Sequence, residues 1–189
     1  MRIIAGRWGG RAIRSVSGPG YRPATGKVRG AVFSMLEARG LAWAGARVAD
    51  LFAGSGSLGL EALSRGADFA LFVELAKPAA AAIRGTLADL GAARGQAEVR
   101  AADVFAVLRD RPAQPYSAVF VDPPYGRDLL LPALGQLMDK DWLAPGGFLL
   151  AEAEAGLDLE PAAVHPGLEP AVDRCYGQTR IVVWTRRIP

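Results

Sequence analysis

From Arg47 onward, short apolar runs alternate with stretches whose apolar positions recur every three to four residues. Val48 to Phe52 is a continuous apolar run interrupted by one acid, the pattern of a strand buried on both faces, and a helix follows through Leu58 to Ser64. The alternation repeats with a strand from Phe69 to Val73, a helix from about Pro78 to Leu90, and strands at Ala97 to Ala101 and Ala118 to Val121. A helix around Leu129 to Met138 then precedes a strand at Gly147 to Ala151. Arg174 to Tyr176 and Thr179 to Thr185 read as a hairpin about Gly177-Gln178. Strand–helix alternation predicts an α/β domain with a mostly parallel, doubly wound, Rossmann-like sheet, extended by an antiparallel C-terminal hairpin.

The first 40 residues follow a different pattern. Arg2 to Ala5 and Ala12 to Val16 predict two short strands joined through Trp8-Gly9-Gly10, and Ser17-Gly18-Pro19-Gly20 breaks the chain. Thr25 is placed to cap a helix whose apolar positions are Val28, Ala31, Val32, Met35 and Leu36, leaving Lys27 and Arg29 on other faces. The organisation expected is a basic N-terminal hairpin and helix over 1–40 and a larger domain over 41–189, packed as one unit.

Chemistry concentrates at predicted strand ends. Gly54, Gly56 and Gly59 have the G-x-G-x-x-G spacing between a strand and a helix, which lets a ligand approach the backbone at a helix N-terminus. Glu74, 20 residues beyond Gly54, ends the next strand, where a carboxylate can hold ribose hydroxyls. Asp50 lies inside the first strand and would repel a dinucleotide's pyrophosphate. S-adenosylmethionine carries no phosphate, and its amino and sulfonium groups are cationic, so Asp50 favours that ligand. Asp103 can accept from an adenine amine or cap the short helix after it. The candidate cofactor set is Asp50, Phe52, Gly54, Gly56, Glu74, Asp103 and Val104.

Asp122-Pro123-Pro124-Tyr125 closes the fourth strand of the series. An exocyclic base amine is planar, weakly nucleophilic and carries two donors. The Asp122 carboxylate and the Pro123 carbonyl can accept both, and Tyr125 offers a face for a flipped base. Asp122, Pro123 and Tyr125 are the catalytic candidates.

Charge adds a partner class. Arg2, Arg7, Arg11, Arg14, Arg22, Lys27 and Arg29 precede the first acid, Glu37, whereas the rest of the chain sets 15 basic against 19 acidic residues. A cationic arm on an acidic body suits a polyanion, because Lys and Arg release counterions from phosphates; solubilisation of a flexible leader is the alternative. Arg7, Arg11, Arg22, Lys27 and Arg29 are the candidate nucleic-acid contacts. Trp8 can stack on RNA or pack on the body. One cysteine and one histidine argue against a disulfide, a zinc site or a His-based triad, and Cys175 reads as a small apolar filler, His165 as a loop residue. Trp43, Trp142 and Trp184 read as core or edge residues. With no apolar run near the ~20 residues a membrane span needs and a charged opening unlike a signal peptide, a cytoplasmic, non-membrane monomer is expected.

Over nearly its whole length the chain resembles the bacterial 16S ribosomal RNA guanine-N2 methyltransferases. The resemblance rests on Met1 to Arg11, on Arg22 to Phe33, on Asp50 to Gly56 with Gly59 to Ala67, and on Asp122 to Tyr125. It implies S-adenosylmethionine-dependent methylation of a guanine 2-amino group in 16S rRNA or the assembling small subunit, with Asp50, Gly54, Glu74 and Asp103 at the cofactor. Gly26 and Gly30, where acids are usual, and Ser34, where Asn or Asp is usual, depart from the pattern. A DNA adenine-N6 methyltransferase shares the Asp-Pro-Pro-Tyr chemistry but usually adds a target-recognition region. A protein-glutamine methyltransferase would more typically carry Asn at position 122. A non-catalytic RNA-binding module would not need the strand-end carboxylates.

Overall fold

The computed structural model describes residues 1–15, 26–154, 156–157, 159, 164–177 and 179–188. Its elements run α1 (Gly26–Ala38), β1 (Arg47–Leu51), α2 (Ser57–Arg65), β2 (Phe69–Val73), α3 (Lys77–Asp89), β3 (Ala97–Arg100), α4 (Val104–Leu108), β4 (Tyr116–Val121), α5 (Leu130–Asp139), β5 (Leu143–Glu154), β6 (Leu168–Tyr176) and β7 (Thr179–Arg186). Expectations for Thr25, Arg22, Val16 and Gln178 fall outside the described residues.

One seven-stranded sheet has the order β3-β2-β1-β4-β5-β7-β6. The first five strands pair in parallel, while β7 runs antiparallel to both β5 and β6. β1, β2 and β4 are near-continuous apolar runs because the sheet is covered on both faces there, whereas edge strand β3 alternates Ala97 and Val99 with Glu98 and Arg100. One face packs on Phe33 and Leu36 of α1, Leu60 and Leu63 of α2 and Ile83 of α3. The other packs on Val104 and Leu108 of α4 and Leu134 and Leu137 of α5. The chain therefore winds one way from β1 and the other way from β4, and these two strands adjoin. Ligands bind beyond the strand ends at such a reversal.

The N-terminal arm is docked, not loose. Ile3, Trp8 and Ile13 are buried, which stabilises the arm by about 1.5–3 kcal/mol per side chain. Its two predicted strands reduce to a single antiparallel bridge, Arg2 to Ala12. The arm's amides turn instead toward α2. Those of Ile4 and Ala5 donate to the Glu61 carboxylate at 2.7 and 3.1 Å, and that of Trp8 donates to Ser64 Oγ at 3.0 Å. The Arg7 amide reaches the Ser64 carbonyl at 2.8 Å. Gly6, at φ +79°, allows this approach, since a Cβ there would lie 2.0 Å from the Ser64 oxygen.

Helix α1 is rotated from its expected phase. Its buried positions are Arg29, Val32, Phe33 and Leu36, a stripe set by Phe33, whose ring stacks on Trp43 at 5.1 Å. Arg29 is consequently 2% exposed and donates to the Arg2 carbonyl and to Met1 Sδ. Burial lowers its pKa, and the Glu61 charge opposes that shift. Expected as a surface grip for RNA, Arg29 is an internal tie between α1 and the arm. Trp8 packs on the body, and Trp43, Trp142 and Trp184 are core residues. Cys175 is exposed rather than filling a gap, because β6 is the sheet's edge strand.

Candidate active site

β1 ends in a tight reversal. Phe52 adopts φ +58°, a costly conformation for a bulky residue, and Gly54 and Gly56 follow at +56° and +73°. Gly56 caps α2 without any side chain to offer, so an amide of the first turn needs another acceptor. Asp50 supplies it from the strand: the Gly59 amide donates to its Oδ2 at 2.9 Å. Asp50 is 2% exposed. Desolvation pushes its pKa up to about 7, against the Gly59 hydrogen bond and with help from the Glu74 charge. The close seat of α2 on the sheet requires Gly59, because a Cβ would come within 2.3 Å of the Phe72 ring.

Glu74, at the end of β2, crosses to the glycine loop. It accepts from the Gly54 amide at 2.8 Å and from the Ala76 amide at 2.7 Å. Asp103 caps α4, accepting from the Ala106 amide at 3.0 Å, and is exposed beyond β3. Val104 is buried beside it, and the Phe52 ring meets Phe105 edge-on at 6.4 Å. The seven candidate cofactor residues thus lie along the ends of β1, β2 and β3.

On the other side of the reversal, Asp122 follows β4, Pro123 is buried, and Tyr125 stands 45% exposed. Two β5 acids that the sequence reading missed hold this loop. Tyr125 donates to Glu152 Oε1 at 3.2 Å, and the Gly126 amide donates to Glu154 Oε1 at 2.7 Å. Thr179 of β7 also reaches Glu152, at 3.5 Å. The Asp122 pKa stands well above the usual carboxylate range, through burial first and then the charges of Glu152 and Asp50. Desolvation raises Tyr125 to about 12, so it stays a neutral donor. The missed signal was Leu150-Ala151-Glu152-Ala153-Glu154, where two acids share one face at the C-terminal end of an apolar strand.

Among the described residues, Arg7, Arg11 and Arg14 of the arm do not converge here. Arg7 lies over the Trp8 ring at 4.1 Å, beside Ser64 near the far end of α2. Arg11 donates to the Asp89 carbonyl, and Arg14 pairs with the Asp89 carboxylate at 2.7 Å. Asp89 closes α3, roughly 18 Å along the helix from its start near Glu74. Lys27 is exposed in the first turn of α1. That turn is near the glycine loop, because Met1 Sδ touches both Arg29 and Ser55.

Strand order, glycine reversal and acid-bearing strand ends together define a methyltransferase of the Rossmann-like class. The conserved hypothetical protein 95 family model matches residues 1–185. Ribosomal RNA small subunit methyltransferase D of Escherichia coli is 38% identical over 164 residues, covering 86% of this chain and 80% of that protein. The solved structure of yhhF from Escherichia coli superposes with a TM-score of 0.85 at 33% identity, covering 100% of this chain and 99% of that one. HI0767 from Haemophilus influenzae gives a TM-score of 0.83 at 30% identity, covering 99% and 98%. The chain belongs to the conserved hypothetical protein 95 family, that of ribosomal RNA small subunit methyltransferase D.

Proposed function

We propose that this protein transfers a methyl group from S-adenosylmethionine to the exocyclic N2 amine of a guanine in 16S rRNA. The observation that carries the reading is the row of acids at the reversal. Register places Asp50, Asp122 and Glu152 on one face of the sheet, across β1, β4 and β5. Burial and the Glu74 charge raise the pKa of Asp50, the acid beside the glycine loop. A cationic ligand relieves that crowding, whereas a pyrophosphate would add to it. The residues therefore fit S-adenosylmethionine, whose sulfonium supplies an electrophilic methyl group when bound.

Asp50 and the glycine loop would face the ligand's methionine end, and Glu74 keeps lone pairs for ribose hydroxyls beyond its two amide bonds. Asp103 and Val104 would border the adenine. Asp122 and the Pro123 carbonyl accept the two N–H bonds of the target amine and aim its lone pair. Tyr125 presents a ring face for the base. Catalysis then rests on orientation and hydrogen bonding, with the amine proton lost once the methyl arrives. Lys27 is the described arm cation best suited to guide RNA to this edge, and Arg7 and Arg11 would extend the contact toward the far end of α2 and α3; Arg22 is proposed as a contact on its sequence alone.

Methyl-labelled cofactor incubated with 16S rRNA, free and in small subunits, should place label in N2-methylguanosine. Asp122→Ala should lower turnover at least about 100-fold while cofactor affinity changes little. Label in N6-methyladenine or in protein would overturn the reading, and so would parallel loss of cofactor binding and turnover for the role of Asp122.

A further inference from the structure

Glu152 is 6% exposed at the C-terminal end of β5. Burying a carboxylate costs several kcal/mol unless it is well partnered. Among the described residues the groups bonded to it are two neutral hydroxyls, Tyr125 at 3.2 Å and Thr179 at 3.5 Å, so a neutral side chain would serve the fold better. Register also makes it the neighbour of Asp122, since Val121 pairs with Ala151 one residue before each. Asp50 lies one strand further along the same face.

We propose that Glu152 is a positioning residue of the methyl-transfer site, holding the Tyr125 ring in place through its hydroxyl while standing as the carboxylate neighbour of Asp122. The inference rests on the function proposed above. Its first consequence is mechanical. A ring tethered at its hydroxyl and at its backbone keeps one axis and one place in the cleft for a base to stack on, and ordering it in advance spares that cost on binding. Its second consequence is electrostatic. The groups facing Asp122 are Glu152 from β5 and Asp50 from β1, with Tyr125 in its own loop, and Glu74 of β2 acts on Asp50. Two adjacent carboxylates titrate as a pair and hold a proton between them to higher pH than either would alone. Asp122 accepts from the amine most strongly when ionised, so Glu152 sets the pH below which that charged acceptor is lost.

Glu152→Gln keeps an acceptor for Tyr125 and removes the charge. In the ligand-free protein, carbon-13 NMR should then show Asp122 titrating at least about half a pH unit lower, with the thermal transition retained. In the methylation assay, Glu152→Ala should raise the RNA KM about three- to tenfold with a smaller effect on kcat, and that increment should vanish in a Tyr125→Phe background. An unmoved Asp122 titration in Glu152→Gln, or multiplicative effects of Glu152→Ala and Tyr125→Phe, would overturn the proposal. If the wild-type protein methylates no RNA, the functional reading has failed, and the NMR titration still decides whether the two acids act as a pair.

Discussion

Glu61→Ala should cost the protein roughly 4 kcal/mol, although the residue touches no candidate ligand. Its side chain is fully buried and accepts three hydrogen bonds, from the Ile4 and Ala5 amides and from Arg65 Nε at 2.9 Å. Bonds to a charged acceptor contribute about 1.5–3 kcal/mol each, but three sharing one acceptor do not add fully. Truncation also removes one of the two carboxylates that pair with Arg65, leaving it Glu37 at 2.8 Å, and takes away the charge that offsets the buried Arg29 guanidinium; breaking a buried pair costs about 3–5 kcal/mol. For a chain of this length each kcal/mol lowers Tm by about 2–4 °C, so the expected fall is roughly 8–16 °C. Calorimetry reads the fall, and hydrogen exchange at Ile4, Ala5 and Trp8 should show the arm opening first. A Tm within about 3 °C of wild type, with Ile4 and Ala5 still protected, would refute the assignment of Glu61 as the arm's anchor.

Asp50→Asn keeps an acceptor for the Gly59 amide and removes a buried charge. Because the folded pKa of Asp50 is raised to about 7, wild-type stability contributed by its proton is present below about pH 4 and is lost as pH rises toward 7. The variant should therefore match wild type near pH 4 and melt several degrees higher at pH 8; an equal Tm difference at both pH values would contradict the shift. Gly59→Ala forces a methyl against the Phe72 ring, which should cost about 1–3 kcal/mol and weaken S-adenosylmethionine binding measured by calorimetry. A wild-type Tm there would show that α2 can move away from the sheet freely.

The central strands were legible because they are buried on both faces and read as apolar runs. β2 coincides with its expected bounds, and β1 differs by one residue at each end. Asp50, Glu74 and Asp122 were legible because strand ends are where an acid is otherwise out of place. What escaped depended on contacts distant in sequence. The phase of α1 is ambiguous until Phe33 finds Trp43, and Arg29 reads as a surface cation because Glu61 stands 32 positions away. The arm's density of arginines suggested a grip for a polyanion, with a solvated leader as the alternative, yet its backbone amides, which carry no sequence signal, fasten it to α2. Glu152 was hidden by its own strand, since its role needs Tyr125 from the neighbouring loop.

Because β1 and β4 adjoin while their connections leave in opposite directions, the site is assembled from two consecutive lengths of chain. On the function proposed, groups for the methyl donor come from residues 50–104, and those for the acceptor amine from residues 122–179. A seam between the two passes through the sheet, where Leu51 pairs with Val121. Substitutions beyond that seam that leave Asp122 in place, since it feels the Asp50 charge, can retune which nucleotide is accepted while the donor's half keeps its own contacts. A library confined to the loop after β4 and the ends of β5 and β7 is the economical place to look for a changed target.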